Sequence, residues 1–118
     1  MKFVLLIHRT APPEVTVPGD VDRAALVAHR ALQTEASARG DLLAVARLGD
    51  AREGRVVRRV GASHDVTDGP FVETKEWLVG FYLVDCEDEA IALERARTIC
   101  GDEYHVIEVR PVTWTRVS

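Results

Sequence analysis

Residues Trp77-Leu78-Val79-Gly80-Phe81-Tyr82-Leu83-Val84 (WLVGFYLV) are the most apolar part of the chain, and the reading of this stretch decides the fold. Its length suits a strand, and apolar side chains at successive positions require cover on both faces, so it reads as a central strand. On its C-terminal side, Glu87 to Cys100 predicts a helix with Asp85 as cap and Gly101 as stop, burying Ala92, Leu93, Ala96, Ile99 and Cys100. Val106 to Val112 follows as the last strand, with Pro111 tolerated near a strand end. On the N-terminal side, Gly61 to Pro70 is turn-rich. Asp41–Leu48 and Gly54–Val60 read as two strands joined through residues 49–53 as an antiparallel hairpin. Before them, Asp20 to Arg39 predicts a helix capped by Asp20 and ended by Gly40, with an apolar stripe of Val21, Ala24, Ala25, Ala28, Leu32 and Ala36. Thr10 to Gly19 holds three prolines and is a loop, and Lys2 to His8 (KFVLLIH) is the opening strand.

The order β-α-β-β-(loop)-β-α-β is the split βαβ, ferredoxin-like α+β plan, in which two helices cover one face of an antiparallel sheet. The other face is then expected to carry Val45, Phe81 or Tyr82, and Ile107 or Val109. An apolar face of that size in a monomer invites a second copy, so a homodimer that packs sheet on sheet is expected.

Composition sets the limits. The 118 residues make one domain, 1–118, able to bury roughly 65% of the unfolded chain's surface. Hydrophobic residues at 47% and charged residues at 29% are ordinary for a folded domain. A formal charge of −4 argues against gripping nucleic acid. The longest apolar run, Phe3 to Ile7, is too short for a membrane span, and Met1-Lys2 is too short for a secretory leader, so a cytoplasmic protein without membrane partners is expected. Cys86 and Cys100 alone make neither a metal cluster nor a disulfide framework, and no glycine loop suited to phosphates occurs. No cofactor and no metal are expected.

The distinctive motif is Asp68 to Glu76 (DGPFVETKE), followed by Val79-Gly80-Phe81-Tyr82 and later by Val109-Arg110-Pro111-Val112. Asp68 and Gly69 suit a turn, Pro70 forces an extended exit, Phe71 can anchor the loop on the fold, and Thr74 to Glu76 can make a helical turn. Over nearly its whole length the chain resembles the DGPF subfamily of the YCII-related proteins. That resemblance implies a dimeric α+β barrel of ferredoxin-like protomers. For some members it implies lyase or dehydrochlorinase chemistry on small ring compounds, and for others an association with alternative sigma factors. It also implies a histidine in the first helix paired with an aspartate. His29, eleven residues before Gly40 and followed by Leu42-Leu43, matches the histidine; Asp102 in Gly101–Tyr104 falls where the aspartate stands, without its proline.

His29 sits about 40° from Ala25 on a helical wheel, at the margin of the apolar stripe. It is either a half-buried histidine bonded to a backbone carbonyl or a proton carrier whose tautomer a carboxylate fixes. Asp68 is the second candidate for that carboxylate, against a plain turn role. Glu73, Lys75 and Glu76 are acid–base types that equally suit a solvated turn. His8, with Arg9, closes the first strand, where ligands often meet strand ends. His64-Asp65 are sequence neighbours that an extended backbone points apart, and His105 has no zinc-like spacing to the other histidines. Arg47, Arg58 and Arg110 lie on otherwise apolar strands and need anions; Arg110 can pair with Glu108 or hold an acidic ligand. Trp77, Phe81 and Trp114 can line an aromatic pocket or simply fill the core. Cys100, Ser37 and Ser63 lack a nucleophile's surroundings.

Two functions follow. One is proton transfer that eliminates or isomerises a small acidic or cyclic compound, with His29 as acid or base, Asp68 or Asp102 orienting it, and Arg110, Arg47, Tyr82 and His8 meeting the substrate. The other is a non-catalytic accessory protein that binds a small molecule or regulates a partner.

Overall fold

A computed structural model of the protein describes residues 1–71 and 75–117. In chain order its elements are β1 (Lys2–Arg9), α1 (Gly19–Ala38), β2 (Leu42–Arg47), a short 3-10 turn (Ala51–Glu53), β3 (Arg55–Val60), β4 (Ser63–Asp68), β5 (Trp77–Asp85), α2 (Glu89–Ile99) and β6 (His105–Pro111). β2, β5, β1 and β6 form one antiparallel sheet in that order, with β5 and β1 at its centre. This is the ferredoxin-like arrangement, and WLVGFYLV is indeed a central strand.

Alternation along the central strands separates the two faces. Phe3, Leu5 and Ile7 of β1 and Tyr82 and Val84 of β5 are buried against Leu32 and Ala36 of α1 and Ala92, Ala96 and Ile99 of α2. Register carries this face outward to Ile107 and Val109 of β6 and to Val45 of β2. The helix-free face therefore carries Val4, Leu6, Phe81, Leu83, Ala44 and Ala46. Of the residues expected there, only Phe81 is present. Val45, Tyr82, Ile107 and Val109 look toward the helices, because a bulge at Leu42–Ala44 inverts β2 and the registers of β5 and β6 follow β1.

Three local expectations are corrected. β3 pairs with β4 in a separate ribbon rather than with β2. The tight turn is Gly61-Ala62, where Gly61 takes φ +60 as a two-residue hairpin requires, and Val60 faces Ser63 across it. Helix α1 begins at Gly19 with Pro18 at the cap position, two residues before the expected cap, so Asp20 lies in the first turn, where its charge suits the positive end of the helix without capping it. Asp88, not Asp85, caps α2, its carboxylate accepting from the Ile91 N–H at 3.1 Å.

An ion cluster around the buried Arg95 ties the helical layer together. Arg95 of α2 donates to Glu35 of α1 through Nε at 3.1 Å and Nη2 at 3.3 Å, and to Asp41 at the mouth of β2 at 2.7 Å. The α1–α2 packing thus positions α1, and with it His29, over β5.

Candidate functional site

His29 stands on the sheet-facing side of α1, half-buried. Its Nδ1 lies 2.7 Å from the Tyr82 hydroxyl, and the two rings are parallel with centroids 5.7 Å apart. Gln33, one turn further along α1, donates its amide N–H to the same phenol oxygen at 3.2 Å. With Gln33 donating to it, the phenol can donate its own O–H to Nδ1, which puts the ring proton on Nε2, or take a second hydrogen bond from Nδ1–H. Burial holds the His29 pKa below its ordinary 6.5; the positive charges of His105 and Arg47 act in the same direction, and Asp102 opposes them. Burial likewise raises the Tyr82 pKa, against the Gln33 hydrogen bond.

Asp102 lies after α2. Its Oδ1 accepts from the Tyr104 N–H at 2.8 Å and pairs with His105 Nδ1 at 2.9 Å. It reaches His29 through its charge, not through a hydrogen bond, because the loop that holds it is folded onto the start of β6. Beside it a cleft of about 230 Å3 opens between α1 and the end of α2, walled by Val21, Ala25, Ala28, Ile99, Gly101 and Asp102. Arg47, at the end of β2, is opposite Gly80 on the helix side of the sheet. A Cβ at position 80 would stand 2.8 Å from the Ala46 carbonyl, so glycine is what lets β2 bring Arg47 this close.

Of the residues singled out from sequence, the fold gathers His29, Tyr82, Asp102 and Arg47 on one side of the sheet. His8 and Arg110 lie on the opposite, helix-free side. Glu108, expected to pair with Arg110, meets His8 instead, at 3.3 Å. Asp68 sits at the end of the exposed ribbon, bonded to Arg55, and is no partner for His29. The carboxylate expected at the His29 ring is thus a phenol in the structure. Phe71, expected to anchor the loop on the fold, is 44% exposed, with the Arg58 guanidinium of β3 4.7 Å above its ring. Trp114 is 77% exposed and Phe81 faces away from the helices, so no three-ring pocket forms with Trp77. Glu73 and Thr74 lie outside the described residues. Gln33 was missed, and His105 was weighed only as a zinc ligand; the four-residue step from His29 to Gln33 is the signal that could have found the first.

The motif glycine has a structural task. Gly69 donates its N–H to the Gly54 carbonyl at 2.7 Å, and a Cβ there would stand 2.9 Å from that oxygen.

The family model described as the YCII-related domain matches residues 1–115. An uncharacterised protein of Rhizobium meliloti (strain 1021) is 41% identical over 75 residues, a span of 62% of this chain and 60% of that relative. The match thus takes in a little under two thirds of the relative's length.

Proposed function

The chain belongs to the YCII-related family, and from that membership together with the His29–Tyr82 pair we propose that it is a cofactor-independent acid–base catalyst of lyase or isomerase type, acting on a small acidic or cyclic compound. The observation that carries this reading is the 2.7 Å contact between His29 Nδ1 and a buried phenol, one residue along α1 from Ala28 in the wall of the cleft that Asp102 also lines. Burial keeps the ring neutral at neutral pH, and a neutral imidazole both gives and takes a proton. With the phenol accepting from Gln33 and donating to Nδ1, Nε2 carries the proton and acts as the acid. When the Gln33 amide turns end for end, the phenol can donate to it and accept from Nδ1, which leaves Nε2 bare as the base. Asp102 favours the imidazolium that follows, and Arg47 offsets negative charge developing on the substrate.

The same reading includes a homodimer through the helix-free face. Val4, Leu6, Phe81 and Leu83 form an apolar centre there, with His8, Glu108 and Arg110 toward one edge, the distribution expected of an interface.

The test is proton exchange. Small carboxylic and phenolic acids are incubated in deuterated water and their C–H signals followed by NMR. Wild type exchanges at least one acid, and His29→Gln loses that activity with its circular dichroism unchanged. Tyr82→Phe slows exchange by about a hundredfold. Exchange at equal rates in wild type and His29→Gln, or none with any acid, overturns the proposal.

A further inference from the structure

Arg9 ends β1 on the same side of the sheet as Ile7, directly across from Trp77 of β5 and His105 of β6. Its Nε and Nη2 are both buried without a hydrogen-bond partner among the described residues, and so is the indole Nε1 of its neighbour Trp77. Three orphaned donors on two residues in register are a costly arrangement unless something accepts from them.

The geometry of the orphaned atoms specifies the acceptor. Nε and Nη2 form one edge of the guanidinium, with two parallel N–H groups spaced to match the two oxygens of a carboxylate. This chain uses that edge twice elsewhere, each time on a carboxylate. Arg52 meets Asp50 through Nε at 3.0 Å and Nη2 at 2.8 Å, and Arg95 meets Glu35 through the same pair. Asp50, the acid whose carboxyl feels Arg9's charge, is already committed to Arg52, which holds its pKa down to about 2.

We propose that Arg9 and Trp77 form a carboxylate receptor, the guanidinium edge gripping both oxygens and the indole N–H donating a third bond to one of them. This rests on the acid–base reading above and deepens it by naming the substrate's handle: a carboxylate rather than a phenolate. Trp77 is also a wall of a cleft of about 300 Å3 at the base of the ribbon, which gives a ligand an approach to the indole end of the pair. On the other flank, His105 joins Arg9 in register on the helix side of the sheet, the side on which His29 stands.

The chain has two tryptophans, and Trp114 is 77% exposed, so their indole N–H signals in a proton–nitrogen NMR spectrum are separable. Titration with benzoate is expected to move the Trp77 signal while leaving Trp114 in place, and benzamide, a neutral analogue of the same shape, is expected to move neither. Arg9→Met should weaken the benzoate response by about tenfold or more, and Arg9→Lys, which keeps the charge but loses the fork, by less. His29→Gln should leave it intact, which separates this site from the catalytic reading. A Trp77 signal unmoved by benzoate, or moved equally by benzamide, overturns the receptor whatever the exchange assay shows. A response that appears only in Glu73→Gln overturns it too, because a carboxylate of the chain itself would then fill the site.

Discussion

A carboxylate beside an imidazole can only accept, which fixes Nδ1–H and raises the ring's pKa. The Tyr82 hydroxyl can donate as well, so it fixes neither tautomer and leaves the ring's pKa to burial and the surrounding charges. This has a measurable thermodynamic consequence. The folded His29 pKa is lower than the unfolded value of 6.5, so below that pH the unfolded chain takes up a proton that the folded chain resists. The His29 contribution to stability is present above pH 6.5 and is lost as the pH falls through the folded pKa. Urea denaturation across the acidic range should show stability declining below about pH 6.5, with a shallower decline in His29→Gln. An unchanged slope in the variant would mean the ring titrates as it does in solution. Tyr82→Phe leaves Nδ1 and the Gln33 amide without their shared partner and should cost about 1–2 kcal/mol in the same measurement. At this scale the histidine was legible, because helix periodicity places it at the margin of the stripe. Its partner was not: Tyr82 is 53 residues away on β5, and only the strand register shows which of Phe81 and Tyr82 looks toward α1.

The elements were largely readable because their periodicities are plain; where the reading failed, a local turn or bulge outweighed the pattern. Gly54 to Val60 reads as a strand and Gly61 to Pro70 as turn-rich, yet Ser63–Asp68 is a strand, exposed throughout and so without an apolar pattern. Its pairing depends on the Gly61-Ala62 turn, not on the longer connection 49–53. The bulge at Leu42–Ala44 inverts the faces of β2 and left no mark in the hydrophobic pattern. Two predictions belong to this scale. Arg95→Ala removes the cation shared by Glu35 and Asp41 and loosens α2 from α1. The loss should be about 2–3 kcal/mol in urea denaturation, below that of a fully buried pair because both carboxylates are partly solvated. Gly69→Ala forces a methyl against the Gly54 carbonyl, so amide hydrogen exchange should accelerate in β3 and β4 while β1 and β5 keep their protection. Equal acceleration in all four strands would mean that the ribbon and the main sheet open together.

At the scale of the whole molecule, the ribbon makes the protomer elongated. The radius of gyration is 16.0 Å, against about 13.5 Å expected for a compact domain of this length. The sheet's free face is the other unfinished feature, and the homodimer reading predicts the effect of charging it. Light scattering should give the mass of two chains for wild type and of one for Phe81→Glu, with circular dichroism unchanged between them. A wild-type monomer at micromolar concentration would leave the face to some other partner. The ferredoxin-like plan was legible from element order alone, while the assignment of side chains to each face needed coordinates. The charged residues expected in one site therefore proved to lie on both sides of the sheet, His29, Asp102 and Arg47 on one and His8 and Arg110 on the other.

The central claim, that a phenol rather than a carboxylate holds His29 as a neutral proton carrier, is tested most directly by nitrogen NMR of its ring through a pH titration. The account predicts a neutral imidazole at neutral pH, titrating below 6.5, with the Nδ1 shift changing in Tyr82→Phe. A doubly protonated ring at neutral pH, or an Nδ1 signal indifferent to the loss of the hydroxyl, would contradict it.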